Sequence, residues 1–177
     1  MKEQIHRIVL LEEEDTQLII EKMGWLVSAH LNNSDKIIIF ADNIQLPNAY
    51  SPGEIRRKKS CYLEEYAILK NEKYEIIGQI NIAVDVKKLI LKLNMLYIEK
   101  NYVDDLILNF YDYINLIMNS VVISPKKLRL TISSVSNEYE NILERIGFRV
   151  EAQRFGGPKF QKRIIDYVWG CDNGECI

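Results

Sequence analysis

Apolar positions along this chain follow two periods, and the changes between them mark out its elements. Ile5 to Leu11 (IHRIVLL) is a β-branched apolar run that predicts a first strand. Glu12-Glu13-Glu14-Asp15 follow, and their charge suits a helix N-terminus. Leu18, Ile19, Met23, Leu26 and Val27 then recur at helical spacing, predicting a helix over 15–31 that Asn32-Asn33-Ser34 breaks. Lys36 to Asp42 (KIIIFAD) fits either a strand or a short buried helix. Residues 43–60 contain Pro47 and Pro52-Gly53 and read as an irregular connection, long enough to be a wall of a substrate site.

Three strand-like runs come next, Tyr62 to Leu69, Tyr74 to Val84 and Leu89 to Ile98, separated by short polar turns. They predict an antiparallel meander. Gly78 interrupts the second run, the mark of a bulge or a close backbone approach. Helical spacing returns at Val103, Leu106, Ile107, Phe110, Ile114, Ile117 and Met118, with Asp104 and Asp105 in the first turn. Leu128 to Ile132 is the next strand, so strand, helix and strand form a right-handed crossover with a parallel pair. A last helix over 133–146 ends at Gly147, where glycine accepts the left-handed conformation. Phe148 to Glu151, a Gly-Gly-Pro turn within 155–162, and Ile164 to Trp169 close the pattern. The expected fold is α/β (α+β): one mixed, mostly antiparallel sheet of six to seven strands with helices on both faces.

The 177 residues suit one domain over 1–170, with 171–177 as a flexible tail. Apolar residues at 47% and charged residues at 27% predict a folded core. A net charge of −2 supplies no global field for nucleic acid, and Arg56-Arg57-Lys58-Lys59 reads first as a solvated loop. No apolar run approaches the ~20 residues of a membrane span. The start, with Glu3 and no apolar core, does not read as a secretory signal, so a cytoplasmic location is expected. Three cysteines argue against a disulfide framework, and Cys171 and Cys176 without a nearby histidine make a poor zinc set, so no metal site is expected. Ten tyrosines, two tryptophans and an aromatic-rich last strand leave a homodimer open.

Ile146-Gly147-Phe148-Arg149-Val150-Glu151, followed by a hairpin to Asp166-Tyr167-Val168-Trp169, resembles the GNAT superfamily of acyl-CoA-dependent N-acetyltransferases. The closest likeness is to the ribosomal-protein, spermidine and aminoglycoside acetyltransferase branch. Element order agrees over nearly the whole chain, and residue likeness is concentrated at 128–170. The resemblance implies acetyl-CoA as co-substrate and, as acceptor, a primary amine of a small molecule or a protein N-terminus. It implies that the third meander strand parts from the strand after the crossover helix, leaving Met95, Leu96, Tyr97 and Ile98 to pair with the pantetheine arm. The pyrophosphate would lie on the helix start formed by Lys100, Asn101, Tyr102, Val103 and Asp104. Ser136 and Asn137 at the start of the last helix complete the implied cofactor side.

A proton acceptor for the amine would come from Glu64 or Glu65, which alternation places on opposite faces with Glu65 preferred, or from Glu99; Tyr139 is the candidate acid. The chain departs from the family pattern at two places. No glycine lies between Gly78 and Gly147, although the family's phosphate loop is glycine-rich, and Leu143 stands where the family carries its tyrosine. Both departures point to a second expectation, a GNAT-like binding or partner-interaction module without catalysis. An α/β scaffold unrelated to the family would show no parting of those strands.

Overall fold

The computed structural model describes residues 5–10, 35–42, 52–61, 63–121, 127–133, 136–156, 162–169, 171–172 and 175–176. The helix expected over 15–31 lies outside them. The described strands are β1 (Ile5–Leu10), β2 (Lys36–Phe40), β3 (Glu64–Asn71), β4 (Ile76–Asp85), β5 (Ile90–Glu99), β6 (Lys127–Ser133), β7 (Phe148–Gly156) and β8 (Lys162–Trp169). They form one sheet in the order β1-β3-β4-β5-β6-β8-β7, with β2 also paired to β5. A separate pair, β9 (Cys171–Asp172) and β10 (Glu175–Cys176), follows. All pairings are antiparallel except β5 with β6. The sheet thus has one strand more than the sequence suggested, and Lys36–Phe40 resolves as that strand.

Three α-helices are described: α1 (Pro52–Ser60), α2 (Val103–Ser120) and α3 (Asn137–Arg145). Alternation sorts the side chains of the sheet onto two faces. On one face Ala67, Leu69, Ile80, Ile82, Leu91, Leu93, Leu96 and Ile98 pack with Phe110 and Ile114 of α2 and Leu143 of α3. On the other, Tyr66, Ile68, Met95 and Tyr97 pack with Ile38 of β2 and Ile55 of α1. Each strand of the meander is buried on both sides, so it reads as a continuous apolar run.

Helix α1 corrects the reading of 43–60 as irregular over its second half. Only Ile55 is apolar and buried in it, so no periodic stripe announces the helix. Local signals hold it instead: Pro52 at the first position, Glu54 in the first turn and Arg57, Lys58 and Lys59 in the last. Helix α3 starts later than expected, because β6 continues to Ser133 and the Ser136 hydroxyl caps the helix by accepting from Tyr139 N–H at 3.3 Å. Gly147 has the expected positive φ, +101°, and Trp169 Nε1 donates to Ile146 O at 2.7 Å over the same corner. Gly78 marks both a bulge and a close approach: the β3–β4 register shifts beside it, and a Cβ there would lie 2.9 Å from Tyr97 O. Among the described residues, no helix is long and apolar enough to cross a membrane.

Candidate functional site

The parallel pairing of β5 with β6 covers only Ile90–Lys92 against Lys127–Arg129. Beyond it the two strands part, as the family resemblance implied. The opening carries segment 35–42. Asp35 O accepts from Lys100 N–H at 2.9 Å. Lys36–Phe40 then runs antiparallel to Glu99–Met95. Ala41 N–H donates to Asn94 O at 2.9 Å, and Asp42 N–H donates across the opening to Thr131 O at 3.0 Å. Asp42 Oδ1 also accepts from Ser133 N–H at 2.9 Å and from Ser133 Oγ at 2.7 Å. One extended stretch therefore stitches both lips of the split sheet together. Its side chains explain why it stays there: Ile37 and Ile39 join the core on the α2 face and Ile38 the core on the α1 face, each at most 3% exposed. Burying three such side chains contributes about 5–9 kcal/mol.

This segment lies where the resemblance implied pantetheine. Leu96, Tyr97 and Ile98 are fully buried, and their outer backbone edge is the one β2 pairs with. Lys100, Asn101 and Tyr102 form a single 3₁₀ turn leading into Val103 and Asp104 of α2. The Lys100 N–H, the first donor a pyrophosphate would need, is bonded to Asp35. Side chains close the same corner: Lys100 pairs with Glu138 at the start of α3 at 3.0 Å, and Asp104 with Arg145 at its end at 3.0 Å, so both ends of α3 are tied to the start of α2. Ser136 spends its hydroxyl on the α3 cap, and Asn137 is the exposed first residue of that helix. Acetyl-CoA does not fit this arrangement, because the chain itself takes up the track.

The three candidate catalytic residues stand apart. Glu65 pairs across β4 with Ile82, which is level with Leu93 on β5. Glu99 is six residues further along β5, about 20 Å away. Glu65 is 7% exposed, and desolvation raises its carboxyl above the ordinary range, with Lys59 pulling the other way. Glu99 accepts from Tyr97 Oη at 3.1 Å. Burial, with the Glu99 charge beside it, pushes the Tyr97 phenol far above its ordinary value. Tyr139 is half-buried and packs against the core from α3.

A third carboxylate, Glu64, is better placed. Glu64 is 4% exposed, and its Oε1 accepts from Lys58 Nζ at 2.9 Å and from Asn94 Nδ2 at 2.7 Å. The Tyr66 hydroxyl donates to its Oε2. Asn94 is the extra residue of a β-bulge, where the β4–β5 register shifts between Asn81 and Ile82. Its carbonyl is the one that receives Ala41 N–H, so this buried polar cluster adjoins the inner end of segment 35–42. Asn94 Oδ1 and Asn81 Nδ2 are buried without a hydrogen-bond partner. The sequence held one signal for the cluster: Asn94 breaks the apolar run LILKLNMLYI.

No protein-family model matches this chain, and no curated protein matches it. Solved structures do. A chimera of the spermidine N-acetyltransferase from Vibrio cholerae superposes with a TM-score of 0.60 at 8% identity, covering 92% of this chain and 94% of that one. The spermidine/spermine N-acetyltransferase from Vibrio cholerae in complex with manganese ions gives 0.57 at 12% identity, covering 92% and 90%. A structure described as a probable acetyltransferase gives 0.59 at 18% identity, covering 91% and 90%. Each superposition runs over nine-tenths or more of both chains, and the chain has the fold of the GNAT N-acetyltransferases.

Proposed function

We propose that this protein is a GNAT-fold binding module whose cofactor track is taken up by its own segment 35–42, and which transfers no acyl group in this form. The observation that carries the reading is the continuity of that occupation, from the Lys100 N–H along Met95–Glu99 to the Asn94 carbonyl. Magnitudes favour it. Withdrawing the segment exposes three isoleucines, about 5–9 kcal/mol, while a ligand at ~100 times its dissociation constant contributes about 2.7 kcal/mol. Thermal unfolding with millimolar acetyl-CoA tests it. No change in midpoint is expected; a saturable rise overturns the reading.

One observation favours a second reading, acyl-CoA-dependent acetylation of a primary amine, with the segment withdrawn. The buried Glu64 carboxylate holds an ammonium group, that of Lys58, beside the bulge at the end of the track. The same fold in spermidine N-acetyltransferases is consistent with it. The double variant Ile37→Asp/Ile39→Asp separates the two, since it loosens the segment from the core. On the second reading it gains an acetyl-CoA-dependent rise in midpoint and acetylates amines; on the first it gains neither.

A further inference from the structure

A hollow of about 500 Å³ opens where segment 35–42 ends. Ala41 is part of its wall, together with Ile90 and Leu93 from β5. The remaining walls come from the face of β6, β8 and β7 that carries Arg129 and Thr131, opposite the buried Leu128, Leu130 and Ile132. None of the described helices makes its main contacts there: α1 packs on β3, α2 on β1, β3 and β5, and α3 on β7 and α2.

The charges in this hollow are unequal. Four cations line it, Lys88, Lys92, Arg129 and Arg154, against two carboxylates, Glu151 and Asp166. Both carboxylates are already engaged. Glu151, turned out of register by a bulge in β7, accepts from Arg129 at 2.8 Å and from Lys127 at 3.2 Å. Burial works to raise its carboxyl, but those two hydrogen bonds outweigh it and hold the group below the ordinary range. Asp166 accepts from Thr131 Oγ1 at 2.7 Å and from Arg154. Lys92 is neutralised from outside the hollow by Asp85 at 2.8 Å, which leaves the Lys88 ammonium over. Lys88 forms no ion pair among the described residues, its only hydrogen bond running from its backbone N–H to Asp85. Arg129 Nε is buried without an acceptor.

We propose that this hollow is a binding site for a small ligand carrying a carboxylate or phosphate group, received by the Lys88 ammonium beside the Arg129–Glu151 pair, over the apolar floor of Ile90 and Leu93. The same balance of charge disfavours a polyamine, whose ammonium groups would meet carboxylates already neutralised and the uncompensated Lys88 ammonium. The proposal rests on the binding-module reading only for Ala41 as a wall, and it involves no acyl-CoA.

Thermal unfolding of the full chain, titrated with inorganic phosphate, succinate or spermidine against sodium chloride at equal ionic strength, tests it. Phosphate or succinate should raise the midpoint saturably beyond the chloride control, with spermidine giving none. Lys88→Glu, at an exposed position with no ion pair among the described residues, should weaken that binding about tenfold or more without unfolding the free protein. Comparison of phosphate with succinate assigns the anion. Anions acting no better than chloride, an equal response in Lys88→Glu, or a saturable response to spermidine would each overturn the proposal. Acetyl-CoA titrated separately into the same protein reports on the module reading, so either can fail alone.

Discussion

Lys58 and Glu64 show how much can hang on one pair in this protein. The side chains are 15% and 5% exposed, so solvent screens the pair little. Lys58→Met leaves the carboxylate with only the Asn94 amide and the Tyr66 hydroxyl. The expected loss is about 3 kcal/mol in urea unfolding at neutral pH. The double variant Lys58→Met/Glu64→Gln should recover part of it, because no unpaired charge is then buried. Glu65 behaves in the opposite sense. Its folded-state pKa lies above the ordinary carboxyl value of 4.5, so its favourable contribution is complete below that value and is lost as pH rises through the folded pKa. Glu65→Gln should therefore stabilise the protein at pH 7, with the gain fading as pH falls toward 4.5. A constant difference across that range in thermal unfolding would contradict the assignment. Neither role is legible in the sequence. Alternation puts Glu64 and Glu65 on opposite sides without saying which is paired, and only the position of α1, itself hidden by its polar composition, tells them apart.

At the scale of elements, the meander, the crossover and the Gly147 corner are written plainly in the chain, because each combines period with a turn residue. Gly78 belongs with them. Gly78→Ala would set a Cβ 2.8 Å from Ile98 Cδ1 and 2.9 Å from Tyr97 O, so β4 and β5 must separate locally. Overpacking of this kind costs about 1–3 kcal/mol, readable as a lower midpoint in chemical unfolding. The Tyr97 and Ile98 backbone also carries β2 on its other edge, so the substitution should loosen segment 35–42 as well. KIIIFAD shows the limit of periodicity. A strand buried on both faces and a short buried helix share the same apolar run, and nothing local says that it will slot between two other strands. Its partner is fixed by tertiary structure, through the gap that β5 and β6 leave and through Asp42, whose carboxylate reaches Ser133 of β6.

For the whole molecule, the same architecture admits two occupants of one track. In the proposal, the chain's own strand replaces the extended, hydrogen-bonding arm of a cofactor, and bulky residues stand where a glycine-rich loop would receive phosphates. The missing glycines and Leu143 are the sequence-level counterpart of that replacement. They signal that the track is altered, though not what fills it, since the filling segment lies some 60 residues earlier in the chain than the loop it meets. Hydrogen exchange at the amides of Ala41, Asp42 and Lys100, with and without acetyl-CoA, tests the occupation most directly. Strong protection of all three is expected without cofactor, with no change on adding it. Rapid exchange of Ala41 and Asp42, with Lys100 becoming protected only when acetyl-CoA is added, would contradict it.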